Sequence, residues 1–529
     1  MSKNIYDWLS KLCDANKDRI FFLRQKETYS DLLRDVKKRA VTLVENLKVK
    51  KGDTVAILSN NTPEFIKSYF AIMSVGAKVL MLDTGLTKDE HKTMMDRTDC
   101  RLALAMPEYF VGGSAKMYDI ETVDETEVSD FKAVAMTLED TAQLSFTSGT
   151  TGNPKIVDLT HGNLVSLASG VEIYKSVFRP DYIIYGFLPL YHIYGVVINI
   201  IGPLQMKCSL LLQPVLKPAE FLKDFQEYRP HVFPAVPRVL EGFYKKIIDG
   251  VKEKKKLTLF RVILGVQRFW KMIGLGFLVK KVQKPVHDIF GGHMKLLVSA
   301  GATLKPKIRA FYENLGFVIG DCYGLTETTG PANFNMKFRA PDGKIRYAGP
   351  LPGGEIEIRN ADKRGIGDIW VKGSLVMRGY LNNVGANAES FDKKGWFKTG
   401  DVGTIDKRGV LTIKGRKKQL IVLDSGKNVY PDELEELYMM NPDILAAAVF
   451  ERKIKGKTIP YAVFQVNPGV TVAQVKNMVR ISNLIIAPYK WVTQFAITEE
   501  ELPQTSAKKI RHHLIAKMIE SGEYPNRNE

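Results

Sequence analysis

Short apolar runs alternate with helical segments through the first part of this chain, and that alternation limits the possible folds more than any other feature. Thr54-Val55-Ala56-Ile57-Leu58, Lys78-Val79-Leu80-Met81-Leu82 and Leu102-Ala103-Leu104-Ala105 are short and mostly apolar. Strands buried on both faces have this composition, and they belong to parallel sheets covered by helices. The segments between them carry helix-start chemistry. Thr62 can cap, Pro63 suits the first helical position, Glu64 suits the positive end, and Gly76 marks the stop. A further helix is expected from Thr87. The pattern predicts an α/β fold whose large N-terminal domain is built of parallel-sheet αβ layers.

At 529 residues the chain is too long for one ordinary domain. Glycine-punctuated β segments follow at Gly354 to Ile358, Gly367 to Lys372 and Val410 to Ile413, and predict a smaller β-rich subdomain. Lys414-Gly415-Arg416-Lys417-Lys418 reads as a charged link and hinge. Beyond it, short strands at 444–467 and 492–497 and a helix from Val472 predict a small, mobile α+β C-terminal domain. The expected division is 1–415 and 416–529. Cys13, Cys100, Cys208 and Cys322 are scattered without a C-x-x-C spacing, which argues against a zinc site or disulfide framework and fits a reducing compartment. The N-terminus lacks signal-peptide form, and no run of about 20 apolar residues is free of charge. A cytoplasmic protein is expected, peripheral on the inner face of a membrane.

The membrane expectation comes from charge. The net charge is +18, yet no helix-turn-helix, zinc-finger or RNP-like pattern is present, so no nucleic-acid partner is expected. Residues 252–284 hold a lysine cluster followed by an apolar stretch in which Arg261, Arg268 and Lys271 share one helical face. Such a segment suits an anionic membrane surface, and equally an ordinary helix pair with a solvated basic face.

Chemistry concentrates in a few turns. Phe146-Thr147-Ser148-Gly149-Thr150-Thr151-Gly152-Asn153-Pro154-Lys155 packs hydroxyls, glycines and a lysine behind an apolar strand. Glycines let backbone N–H groups face an anion, hydroxyls add donors, and lysine adds a point charge. It is not the P-loop pattern, and a Gly/Thr-rich surface turn has the same look. Leu190-Tyr191-His192-Ile193-Tyr194-Gly195 sets a histidine among aromatics, suited to a ligand pocket or to a core edge. His231 to Arg238 reads as a strand ending in a proline-rich turn. Ser299-Ala300-Gly301-Ala302 and Tyr323-Gly324-Leu325-Thr326-Glu327-Thr328 follow apolar strands, where open α/β sheets collect ligands. The turns near residues 148, 301 and 325 are expected to share one crevice. Asp401 is a candidate for ribose hydroxyls.

Taken together, Thr147–Lys155, Tyr323–Thr328, Thr399–Asp401, Gly415–Glu435 and Pro503–Lys509 resemble, in order and spacing, the motifs of adenylate-forming enzymes. That superfamily includes acyl-CoA synthetases, luciferases and peptide-synthetase adenylation domains. Val236-Pro237-Arg238, the basic-apolar insert and Leu420–Pro431 look most like long-chain fatty acyl-CoA synthetases. The resemblance implies that a carboxylic acid, a medium- to long-chain fatty acid, attacks the α-phosphate of ATP to give an acyl-adenylate and pyrophosphate. Coenzyme A then displaces AMP. It implies that Thr147, Ser148, Gly149, Thr150, Thr151, Gly152 and Lys155 hold the β- and γ-phosphates, and that Glu327 binds Mg²⁺. Tyr323 would stack on adenine near Gly301 and Ala302, Thr326 would touch the α-phosphate, and Asp401 with Arg416 would hold the ribose. Lys509 would bridge carboxylate and phosphate oxygens, His192 would sit near the acyl and thiol entry, and Lys418 would be the hinge that brings Gly426 toward the thiol tunnel. Departures are Lys508 and Ile156 where the family has glycine, and Ala300 in the turn before Ala302; none removes a charge the chemistry needs. Two alternatives are a ligase that loads a carrier-protein thiol, and a catalytically weak lipid-binding homologue.

Overall fold

The computed structural model describes all residues except 1, 124–130, 148–153, 215–217, 254–275, 302–303, 337, 340–344, 347–348, 426, 455, 505–509, 525–526 and 529. Of 218–219, 276–282, 338–339, 345–346 and 527 it describes the backbone alone. The three apolar runs form strands Thr54–Leu58, Lys78–Met81 and Leu102–Ala105, parallel and in register, with Val55 opposite both Val79 and Leu102. Thr54–Leu58 is buried at every position, which is why its composition shows no alternation. Thr62 caps the helix Pro63–Ser74 by accepting from the Phe65 N–H at 3.3 Å, and Gly76 ends the turn at φ +79°. Thr87 and Glu90 form a capping box on Lys88–Asp96.

Among the described residues these strands belong to a seven-stranded sheet that runs from Gly379–Tyr380 through Ile156–Thr160, Thr141–Phe146, Lys78–Met81 and Thr54–Leu58 to Leu102–Ala105 and Lys116–Asp119. An eight-stranded sheet runs from Gly330–Asn335 through Val318–Leu325, Leu296–Ala300, Val232–Ala235, Ile183–Gly186 and Ser209–Leu212 to Ile20–Phe22 and Glu27–Thr28. Most neighbours are parallel, as expected. The antiparallel pairs Thr141–Phe146 with Ile156–Thr160, and Val318–Leu325 with Gly330–Asn335, turn the chain back at the edge where ligand chemistry was expected. One continuous apolar core joins the two sheets through helices Ile5–Ala15, Tyr29–Glu45 and Pro63–Ser74.

The β-rich part is a four-stranded antiparallel sheet, Gly354–Arg359, Gly367–Gly373, Phe397–Ile405 and Leu411–Arg416. Two readings need correction here. Pro237 starts the helix Pro237–Glu253 instead of closing a turn, consistent with proline's fixed φ at a first helical position. Lys414–Arg416 are not a free link: they finish a strand, and the chain leaves it through a short 3₁₀ turn, Lys417–Gln419. Strands Ile444–Ile454, Lys457–Val466, Gln494–Thr498 and Arg527–Asn528 form the last sheet, over its own cluster of Val449, Phe464, Val475 and Phe495.

Candidate active site

The hydroxyl- and glycine-rich loop leaves the seven-stranded sheet at a closed neck. Phe146 pairs with Ile156, the Thr147 N–H donates to the Lys155 carbonyl at 2.9 Å, and the Lys155 N–H donates to Thr147 Oγ1 at 3.2 Å. Ser148, Gly149, Thr150, Thr151 and Gly152 lie outside the described residues. Lys155 Nζ sits 4.3 Å from the centre of the Tyr380 ring, a cation–π contact. The Tyr380 hydroxyl donates to Glu327 Oε1 at 2.9 Å. Burial and the Glu327 charge both push the Tyr380 hydroxyl far above the usual tyrosine range, so it remains a donor.

Glu327 lies in the 3₁₀ turn Thr326–Thr328 at the end of Val318–Leu325. The Leu325 N–H donates to Thr328 Oγ1 at 2.9 Å, and Thr328 in turn donates to the Gly330 carbonyl at 2.8 Å, which fixes the turn. The Met377 N–H donates to the Glu327 carbonyl at 2.8 Å, joining this turn to the segment that carries Tyr380. Ends of strands from both large sheets thus meet around one tyrosine and one carboxylate. Of the three turns expected to share a crevice, the neck of the first, at Lys155, and the turn at Glu327 are linked through Tyr380.

On the other side of that turn, the Tyr323 hydroxyl donates to Asp401 Oδ2 at 2.8 Å, and Arg416 Nε lies 3.2 Å from Asp401 Oδ1. Asp401 and Arg416 are direct cross-strand partners, so sheet register alone places the pair. The Asp401 N–H is held by Thr399 Oγ1 at 3.1 Å. Burial, then the Asp401 charge, raises the Tyr323 hydroxyl well above the usual range. Gly301 adopts φ +87°, and an added Cβ would meet no atom closer than Val236 Cγ1 at 4.0 Å. Glycine takes this left-handed turn without strain, and among the described residues no atom stands closer in front of it. Ala302 lies outside the described residues.

His192 precedes the short helical turn Ile193–Gly195, which continues as a π-helical stretch, Val196–Ile201. Its Nε2 is 3.9 Å from Asp83 Oδ2. Asn61 fixes the approach: its amide donates to the Leu188 and Gln213 carbonyls at 3.0 and 3.3 Å and accepts from the Leu190 N–H at 2.9 Å. The Tyr194 hydroxyl donates to the Val298 carbonyl at 3.0 Å, and Gly330 lies against Val197. His192 is thereby placed on the same side of the large domain as Glu327.

Lys418 is exposed in the 3₁₀ turn between the four-stranded sheet and the C-terminal part. Gly426, Lys508 and Lys509 lie outside the described residues. The residues flanking 505–509 are paired: Gln504 bridges Ile510, and the Arg511 N–H donates to the Pro503 carbonyl at 2.9 Å. Arg238 Nη1 donates to Gln504 Oε1 at 2.9 Å, tying this neck to the large domain. Sequence reading missed Tyr380 and this contact. A glycine-aromatic pair, Gly379-Tyr380, is the sole local signal for the first. The second joins residues 266 positions apart and leaves no local signal.

A magnesium ion fits this site. It is a hard cation that keeps waters and phosphate oxygens and needs only one or two protein carboxylates. Tyr380 holds Oε1 of Glu327, and this carboxylate would be the group that holds the cation. No group of three metal-ligating side chains exists among the described residues.

The AMP-binding enzyme family matches residues 10–381. The chain is 31% identical over 464 residues to the long-chain-fatty-acid–CoA ligase FadD15 of Mycobacterium bovis, covering 80% of this chain and 74% of that one. It is 26% identical over 523 residues to the 2-succinylbenzoate–CoA ligase of Bacillus pumilus, covering 96% of both. In fold it is similar to the Bacillus subtilis O-succinylbenzoate coenzyme A synthetase in complex with AMP (TM-score 0.78, 23% identity, 97% of both chains). It is also similar to ATP-bound MatB of Rhodopseudomonas palustris (TM-score 0.76, 24% identity, 98% and 99%). The two large sheets and the small C-terminal sheet share the architecture of these adenylate-forming enzymes. The chain belongs to the AMP-binding enzyme family. It is an ATP-dependent acyl-CoA ligase that works through an acyl-adenylate, using ATP with Mg²⁺ and taking coenzyme A as the thiol.

Proposed function

We propose that this ligase activates a medium- to long-chain fatty acid. The observation that carries this reading is the character of the segment beyond His192. Ile193 to Met206 contains no charged residue, and Val196, Val197, Ile198, Ile200 and Ile201 are buried. The charged group on the adjoining strand is an acid, Asp321, whose carboxyl burial pushes up to about 6 against the pull of Arg309. A second carboxylate on an aromatic acid would need a cation of its own there; the nearby Arg309 is already engaged by Glu313 at 3.0 Å and Asp321 at 4.0 Å, and an alkyl chain needs none. The identity to the long-chain relative points the same way.

In this reading Lys155 and the loop from Thr147 to Gly152 hold the β- and γ-phosphates. Tyr323 stacks on adenine beside Gly301 and Ala302, Asp401 and Arg416 hold the ribose, and Thr326 contacts the α-phosphate. The attack joins two anions, so catalysis consists of positioning and charge neutralisation. A carboxylate oxygen forms a bond to the α-phosphorus as the bond to pyrophosphate breaks, and Lys509 places its ammonium between the two oxygens. Mg²⁺ on Glu327 adds charge neutralisation at the phosphates. Residues 1–415 and 416–529 act as two bodies about Lys418. Their rotation withdraws Lys509, brings Gly426 in, and admits the thiol past His192. The thiol sulfur then bonds to the acyl carbon and AMP leaves.

The test is pyrophosphate release with a panel of acids. Release should peak with acids of long alkyl chain and be weak with 2-succinylbenzoate. The reverse order would replace the fatty acid with an aromatic dicarboxylate. Adenylate that builds up and ignores coenzyme A would favour a carrier-protein thiol as acceptor.

A further inference from the structure

The helix Val472–Asn483 and the turn after it carry apolar side chains on the wrong side for a soluble domain. Val475, Val479 and Asn483 are buried and face the C-terminal sheet. At about 100° per residue, Ile481, Leu484 and Ile485 lie on the opposite side. They are 56%, 73% and 73% exposed, and Trp491 nearby is 37% exposed. This is not a frayed end. The Asn483 amide donates to the Val492 carbonyl at 3.0 Å and accepts from the Tyr438 hydroxyl at 2.6 Å, and Trp491 Nε1 donates to the Ile486 carbonyl at 3.3 Å. Buried hydrogen bonds fix the segment from within while its apolar tip points outward.

Charge says what covers it. Between Asn467 and Thr498 there is no Asp or Glu, while Lys476 and Arg480 stand exposed about two turns and one turn before Leu484 on the adjoining face. Lys427 lies over the Tyr489 ring at 4.8 Å and adds a third cation at the edge. Lys490 is paired with Glu433 at 2.7 Å and is not part of the basic rim. A stable protein interface needs roughly 20–30 residues a side, and this tip offers a few. An anionic lipid surface needs no shaped partner. It takes aliphatic tips into its acyl boundary, an indole at its headgroup level, and lysine or arginine at its phosphates.

We infer that the C-terminal domain carries a lipid-contact surface, formed by Ile481, Leu484, Ile485 and Trp491 with Lys476 and Arg480, that docks on anionic membrane. It is independent of the acid the enzyme activates, and separate from the basic segment 252–284.

The experiment is co-sedimentation of the full-length enzyme with phosphatidylcholine vesicles, with and without about 30% phosphatidylglycerol, at low and high salt. The wild type should bind the anionic vesicles, and salt should weaken binding. The double variant Leu484→Asp/Ile485→Asp should lose about tenfold or more in partitioning. Lys476→Gln/Arg480→Gln should weaken binding to anionic vesicles and leave the small neutral-vesicle signal unchanged. Vesicles should shift Trp491 emission to the blue, a change that Trp491→Phe removes. Leu484, Ile485, Lys476 and Arg480 are at the surface, so the aspartate and glutamine variants should keep the thermal midpoint and adenylation rate of the wild type. Wild-type binding that survives Leu484→Asp/Ile485→Asp overturns the inference. So does binding abolished by neutralising Arg261, Arg268 and Lys271 alone. A dimer that the double aspartate variant dissolves, with no vesicle binding by the wild type, would assign the patch to a second copy of the chain.

Discussion

Replacing Asp401 by Asn asks whether the Tyr323–Asp401–Arg416 arrangement serves the nucleotide or only the fold. The side chain is 5% exposed, with one oxygen 2.8 Å from the Tyr323 hydroxyl and the other 3.2 Å from Arg416 Nε. Asn is nearly isosteric. Its amide oxygen can keep the tyrosine's proton, but its NH₂ then faces the arginine, donor against donor. What is lost is the charge. A hydrogen bond to a charged group is worth about 1.5–3 kcal/mol. Arg416 is 46% exposed, so screening puts its share at the low end. Two ribose hydroxyls that face an amide instead of a carboxylate lose an amount near the middle, about 2 kcal/mol. At about 1.4 kcal/mol per tenfold, this is roughly a thirtyfold rise in the KM for ATP. The assay is acid-dependent pyrophosphate release across an ATP titration, beside thermal unfolding of the same protein. An unchanged KM with a lower midpoint would show that the arrangement only braces the sheet, and would refute the ribose assignment.

Three more outcomes follow from the geometry. Tyr380→Phe removes the hydroxyl from Glu327 but keeps the ring beneath Lys155; the magnesium dependence of adenylation should shift upward roughly ten- to 150-fold, the size of one charge-assisted bond, and an unchanged Mg²⁺ titration would sink the role of Tyr380 in orienting Glu327. Among the described residues neither ring nitrogen of the fully buried His161 has a hydrogen-bond partner, and burial lowers its pKa to about 4. A depressed folded value means that its stability contribution is present above the unfolded value of about 6.5 and is lost as pH falls toward 4. His161→Leu should therefore be near neutral at pH 8 and flatten the acid side of a stability–pH curve, whereas an identical acid limb would contradict the burial argument. Arg238→Ala should slow adenylation about tenfold while sparing thioester formation from supplied acyl-adenylate, because it frees the neck at Gln504; equal losses in both half-reactions would make the contact merely structural.

How much of this was legible in the chain differs by element, for physical reasons. Thr54–Leu58 and its neighbours announced themselves because central parallel strands bury both faces and become apolar runs. Thr62-Pro63-Glu64 marked a helix start because capping is local chemistry. The end of the four-stranded sheet misled: Lys414-Gly415-Arg416 looks like a solvated link, yet Arg416 is set by pairing with Asp401, a partner fifteen positions back across a hairpin. Pro237 was ambiguous, since proline opens helices as readily as it makes turns. Of the site, the turns at Thr147 and Glu327 were visible in composition, and the family resemblance supplied the roles. Tyr380 was not visible, because its function arises only where strands of two sheets meet. The exposed tip at Leu484 and Ile485 was hidden too, since apolar residues beside a helix read as core until their exposure is known.

The most direct test of the central claim, that one site joins an acid to AMP before any thiol enters, is isotope exchange between pyrophosphate and ATP. It is run with a long-chain acid, Mg²⁺ and no coenzyme A. The account predicts acid-dependent exchange without coenzyme A, with AMP and a thioester appearing in equal amounts once coenzyme A is added. Exchange that requires coenzyme A, or products that are ADP and phosphate, would contradict it.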